Sequence, residues 1–165
     1  MPEQVVIDGL EFARAGKSLS GNLKAGDLER LQDSLASSEG ELEFTLRGQQ
    51  NPNGRPMLHL AVRGTLQLRC QRCLGVLAHS VDIASDLLLL RDESEFAELM
   101  DDEDDSVDGI LAAPKMDVAA IVEDEIVLSL PYAPRHPVGG CGPGGAPEAG
   151  GGKASPFATL AKLKK

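Results

Sequence analysis

At 165 residues, 42% hydrophobic and 25% charged, the chain suits one sizeable core in one domain and excludes two full domains. A formal net charge of −10 opposes a uniformly nucleic-acid-binding surface, and three cysteines do not make a disulfide framework, so a cytoplasmic, reducing setting is expected. The start has no basic segment followed by an apolar run, and the longest aliphatic run, Leu87 to Leu90, cannot span a bilayer, so no membrane partner is expected.

Residues 1–24 hold short apolar groups broken by Gly9, Gly16 and Gly21, and read as short extended pieces. Asp27 is placed to cap a helix over 27–36, with Leu28, Leu31 and Leu35 on one stripe. From 41 to 47, Leu42, Phe44 and Leu46 alternate with polar residues, the period of a half-buried strand. Asn53-Gly54 is a hairpin signal. Over 57–70, Leu58, Leu60, Val62, Leu66, Leu68 and Cys70 share one face; over 77–89, Val81, Ile83, Leu87 and Leu89 share another, with the pattern failing at Leu88 and Leu90. A short helix carrying Phe96, Leu99 and Met100 is expected after Asp92, followed by a solvated acidic loop. Gly109 to Pro114 suits a brief strand, and Asp117 caps a helix over 117–129 with Val118, Ile121, Val122 and Ile126 inward. Residues 139–152 are nearly all Gly, Pro and Ala and read as a flexible linker; Ser155-Pro156 then opens a short amphipathic helix within 153–165.

These elements make an α+β fold: an antiparallel β-meander sheet packed by a few helices in a domain over 1–138, followed by the Gly-rich C-terminal segment. Leu31, Leu60, Val62, Leu68, Val81, Ile121 and Val122 are the expected core.

Charge is segregated along the chain. From Phe44 to Val81 there is no acidic residue, whereas Asp92 to Asp108 contains ten and no Lys or Arg. Arg63 and Arg69 fall on one strand face, with Arg47 on a neighbouring strand and Arg72 in the following turn, an arrangement suited to RNA phosphates. The acidic block suits a basic protein partner.

Cys70 and Cys73, separated by two residues, are placed to share one metal ion, and Cys141 with His136 are the clustered candidates for the remaining ligands of a structural zinc site. The alternative is three reduced thiols packed near a strand end. A redox pair would need a helix starting at the first thiol, which the strand-like flank does not supply. His59, His79 and His136 lie in no catalytic motif, and no catalytic residues are assigned.

Taken in order, Cys70-Gln71-Arg72-Cys73, the run from Val122 to Pro131, His136, Cys141, and Pro156 to Ala161 with Leu163-Lys164-Lys165 resemble the bacterial YceD family, linked to accumulation of 23S ribosomal RNA. The resemblance covers most of the chain from about residue 60 onward; the N-terminal third carries little of it. It implies a non-enzymatic role in making or stabilising the large ribosomal subunit. Joined to the charge pattern, it leads to the expectation of 23S rRNA or its precursor as a partner, with a basic large-subunit ribosomal protein as another. An interaction adaptor that never touches RNA, and a zinc or thiol enzyme, are the alternatives.

Overall fold

A computed structural model of the chain describes residues 4–101 and 107–142. The elements in order are β1 (Val6–Ile7), α1 (Gly9–Arg14), β2 (Ser18–Lys24), two 3-10 turns (Ala25–Asp27 and Glu29–Leu31), β3 (Glu41–Gln50), β4 (Pro56–Arg69), β5 (Val76–Leu90), α2 (Glu93–Asp101), β6 (Asp108–Leu111), β7 (Met116–Asp117) and α3 (Val118–Ser129). The expected linker beyond residue 142 and the helix within 153–165 lie outside the described residues.

The α+β expectation holds. A five-stranded sheet runs β2-β3-β4-β5-β6, antiparallel throughout except that β6 joins β5 in parallel, and β1 pairs with β7 in a separate ribbon. The three long strands form the expected meander, because each alternates apolar and polar residues and so buries one face. The β3–β4 hairpin closes through Asn51, whose side-chain oxygen accepts from the N–H groups of Asn53 and Arg55 while Gly54 adopts a positive φ of 77°.

On the inward face, Leu42, Leu46, Leu58, Leu60, Val62, Leu66 and Leu68 are fully buried beneath α1, the 3-10 turns and α3. Val81, Ile121 and Val122 join them, as does Leu31. Leu88 and Leu90 break the alternation because β5 is covered on both sides at its end: Leu87 and Leu89 enter the main core, whereas Leu88, Leu90 and Met57 pack against Phe96 and Leu99 of α2.

Two expectations are corrected. The helix expected over 27–36 is absent: Leu28 is extended between the two 3-10 turns, although Leu28, Leu31 and Leu35 are all buried. Tertiary bonds outweigh the helical period there. The Arg30 N–H donates to Glu123 Oε1 at 2.7 Å, and residues 34–36 fill the side of β4 that β3 has left, with Arg69 N–H to Ser34 O at 3.0 Å and Ala36 N–H to Gln67 O at 2.7 Å. In the N-terminal region the extended pieces exist as β1 and β2, but Gly9–Arg14 between them is helical. Asp8 caps it by accepting from the Glu11 N–H at 2.9 Å. Gly48 of β3 seats this helix, since a Cβ there would run into the Phe12 carbonyl and lie 2.7 Å from Ala13 Cα.

Candidate metal centre

The first half of the centre is built where β4 gives way to β5. The Cys70 N–H donates to Gly75 O at 2.9 Å and the Leu74 N–H to Cys70 O at 2.9 Å, closing a turn in which Leu74 takes a left-handed φ of 60°. That turn folds Cys73 back toward Cys70. The second half arrives from α3, which starts at an Asp117 cap (Oδ1 accepting from Ala119 N–H at 2.9 Å) and stops before Pro131. Beyond the helix, the Gln71 N–H donates to Pro134 O at 2.8 Å, and this bond brings the following residues over the turn.

Cys70, Cys73, His136 and Cys141, all four expected ligands, are thereby brought together, with one ligand atom from each lying within 4.8 Å of every other. Cys70 Sγ is 4.0 Å from Cys141 Sγ, and His136 Nδ1 is 3.4 Å from Cys73 Sγ and 3.7 Å from Cys141 Sγ. Around a tetrahedral zinc ion, with Zn–S near 2.3 Å and Zn–N near 2.0–2.1 Å, ligands sit about 3.8 Å apart for two sulfurs and about 3.6 Å for sulfur and nitrogen. These three separations lie within about 0.2 Å of those values, so the donor set suits such an ion.

The surroundings match as well. His136 Nε2 donates to Val76 O at 2.8 Å, which turns the lone pair of Nδ1 toward the sulfurs, as outer-sphere carbonyls do for metal-bound imidazoles. Cys70 is completely buried, and burial pushes its thiol up; the backbone N–H groups of Cys73, His136 and Arg72, with the Cys73 thiol, outweigh this and hold it down to about 5. The Arg72 N–H lies 3.4 Å from that sulfur. Cys141 goes the other way, raised by burial and by its contacts with Cys73 and Cys70. Four protein ligands leave no coordination position for a substrate, which is the arrangement of a structural ion rather than a catalytic one.

The expected RNA-facing arginines Arg47, Arg63, Arg69 and Arg72 are all exposed. Arg47 and Arg63 line a shallow depression of about 300 Å³ on the open sheet face with Glu43, Thr45, His59 and Ala61. Acids from neighbouring strands share that face. Arg63 Nε donates to Asp82 Oδ1 at 3.1 Å, and His59 Nδ1 lies 2.7 Å from Asp86 Oδ1. Arg69 shares that face at its far end, next to Cys70, and Arg72 lies in the turn that carries the two cysteines. What sequence reasoning missed is the backbone of the site, namely Val76 O, Arg72 N–H and the Gln71–Pro134 bond. Main-chain groups leave no mark on a residue pattern.

A family model described as large ribosomal RNA subunit accumulation protein YceD matches residues 58–164. The chain belongs to the YceD family. The matched span contains all four ligands and the turn and helix that position them, so the centre belongs to the region the family shares. A curated relative of the same name from Haemophilus influenzae is 26% identical over 98% of this chain and 95% of its own length. No solved structure matches. Among the described residues no helix is long and apolar enough to cross a membrane.

Proposed function

We propose that this YceD-family chain is a non-catalytic factor that supports accumulation of large-subunit ribosomal RNA by contacting 23S rRNA or its precursor. In this reading, Cys70, Cys73, His136 and Cys141 hold a structural Zn2+ that clips the chain beyond α3 to the β4–β5 turn. The carrying observation is the closed donor set of three sulfurs and one oriented imidazole nitrogen, placed inside the span that the family model matches. The family's printed description supplies the role; the geometry supports a scaffold rather than an enzyme.

Cross-linking in cells followed by identification of the attached RNA tests this function, together with the salt dependence of binding in vitro. Recovery of large-subunit rRNA, with binding that weakens linearly in log salt, is the expected result. Absence of rRNA among the adducts would overturn it. A second reading, a zinc-clipped adaptor that meets a basic ribosomal protein and no RNA, is favoured by the net charge of −10 and by the acids that hold Arg63 and His59. In that case the cross-links run to protein alone.

A further inference from the structure

The end of the molecule around the metal centre presents side chains that core formation does not account for. Leu74 is 68% exposed, Val76 56% and Val138 97%, and Tyr132, the chain's one tyrosine, is fully exposed. They belong to two segments that the Gln71–Pro134 and His136–Val76 bonds hold side by side. Prolines at 131, 134 and 137 restrict the backbone on either side of Tyr132 and Arg135.

Charge marks the same end. Arg69, Arg72 and Arg135 are exposed there, and residues 69–81 and 127–142 contain no Asp or Glu, in a chain whose net charge is −10. Three thiolates around a divalent ion add one negative charge, which leaves these two segments net positive. The open sheet face is different, because phosphates there must displace Asp82 from Arg63 and Asp86 from His59. An exposed aromatic ring, arginines and apolar side chains on two acid-free segments held side by side are the chemistry that takes unstacked bases and their phosphates.

We propose that the metal-clipped end, with Tyr132 as a stacking platform and Arg69, Arg72 and Arg135 on the backbone, binds an unpaired stretch of large-subunit ribosomal RNA. This rests on the RNA-binding reading above and assigns its surface and the form of RNA it takes. The ion's part is to hold the two halves of the surface in register; it makes no contact with RNA.

The test uses the full-length, zinc-loaded protein, a labelled single-stranded oligonucleotide drawn from an unpaired segment of 23S rRNA and a duplex of the same composition, read by fluorescence anisotropy over a salt series. Wild type should prefer the single strand. Tyr132→Ala should weaken that binding by roughly 5- to 150-fold, Tyr132→Phe should restore it, and the Arg72→Ala, Arg135→Ala double variant should flatten the log-log salt slope by about 1.4. The Arg47→Ala, Arg63→Ala double variant should change neither. One zinc equivalent per variant verifies that the centre is intact. If wild type binds but the sheet-face variant is the weakened one, or Tyr132→Ala binds like wild type, the assignment to this surface is overturned and RNA binding stands. If wild type binds no RNA in either form, the functional reading falls and the inference with it.

Discussion

Removing the ion should loosen one end of the molecule and lower its stability by an amount set by zinc affinity. An ion that needs both Cys70 and Cys141, 71 residues apart, is held by the folded chain and released by the unfolded one. At free zinc about 1,000 times its dissociation constant, that preference for the folded state corresponds to about 4 kcal/mol. The sheet core should survive, because Leu42, Leu46, Leu58, Leu60, Val62 and Ile126 are buried against one another rather than against the centre. For a protein of this size the loss translates to a Tm lower by about 8–16 °C. Calorimetry of reduced protein before and after chelation, with zinc added back, measures the shift, and Cys141→Ser should reproduce it. Hydrogen exchange should report faster opening at Gln71, whose N–H is held by Pro134 O, while β3 and β4 stay protected. An unchanged Tm after complete metal removal, or purified protein containing no zinc, would refute the reasoning.

Gly48→Ala should destabilise the fold by about 1–3 kcal/mol in urea titration, because its methyl meets the backbone of α1, which cannot swing aside as a side chain can. Leu31→Ala should cost about 2–5 kcal/mol by the same titration, despite lying in an irregular segment, since Leu31 is completely buried; Leu128→Ala, 76% exposed at the end of α3, should change stability by less than about 0.5 kcal/mol. Asp92 is held below its ordinary value of 3.8, first by the Ser94 hydroxyl and then by the N–H of Glu95, with the Ser94 N–H adding to this against the opposing effect of burial. Its folded value is depressed, so its contribution is present above the unfolded value and lost as pH falls through the folded one. Protection of the Ser94 and Glu95 amides at the start of α2, relative to their intrinsic exchange rates, should therefore fall only as pH drops below 3.8, and Asp92→Asn should remove that pH dependence.

The sheet was legible because its signal is local. Alternation in 41–47, 57–70 and 77–89 states which face of each strand is apolar, and Asn53-Gly54 states where two of the strands turn; none of this requires knowing what covers the sheet. The helix after Asp117 was legible for the same reason, with its cap and stripe lying within a dozen residues. Of the metal centre, the Cys70–Cys73 spacing was a local signal, and His136 and Cys141 could be named as candidates from their mutual proximity. Their meeting with the pair was a matter of how α3 crosses the sheet.

Residues 27–36 and 9–14 show where local reading stops. Leu28, Leu31 and Leu35 satisfy a helical period and are buried as that period demands, yet hydrogen-bonding partners on α3 and β4 hold the backbone in another shape. Gly9, read as a break, opens a helix because Asp8 caps it and Met116 occupies the space where a side chain would stand. Likewise, Leu88 and Leu90 look like a failed pattern until α2 covers them, and Arg63 looks free until β5 sets Asp82 opposite it. Sequence alone determined the faces of the strands, the helix after Asp117 and the residue types available to a metal ion. Tertiary structure decided which backbone groups, acids and ligands from distant segments meet, because a residue pattern carries the period of its own segment and nothing of the partner that segment packs against.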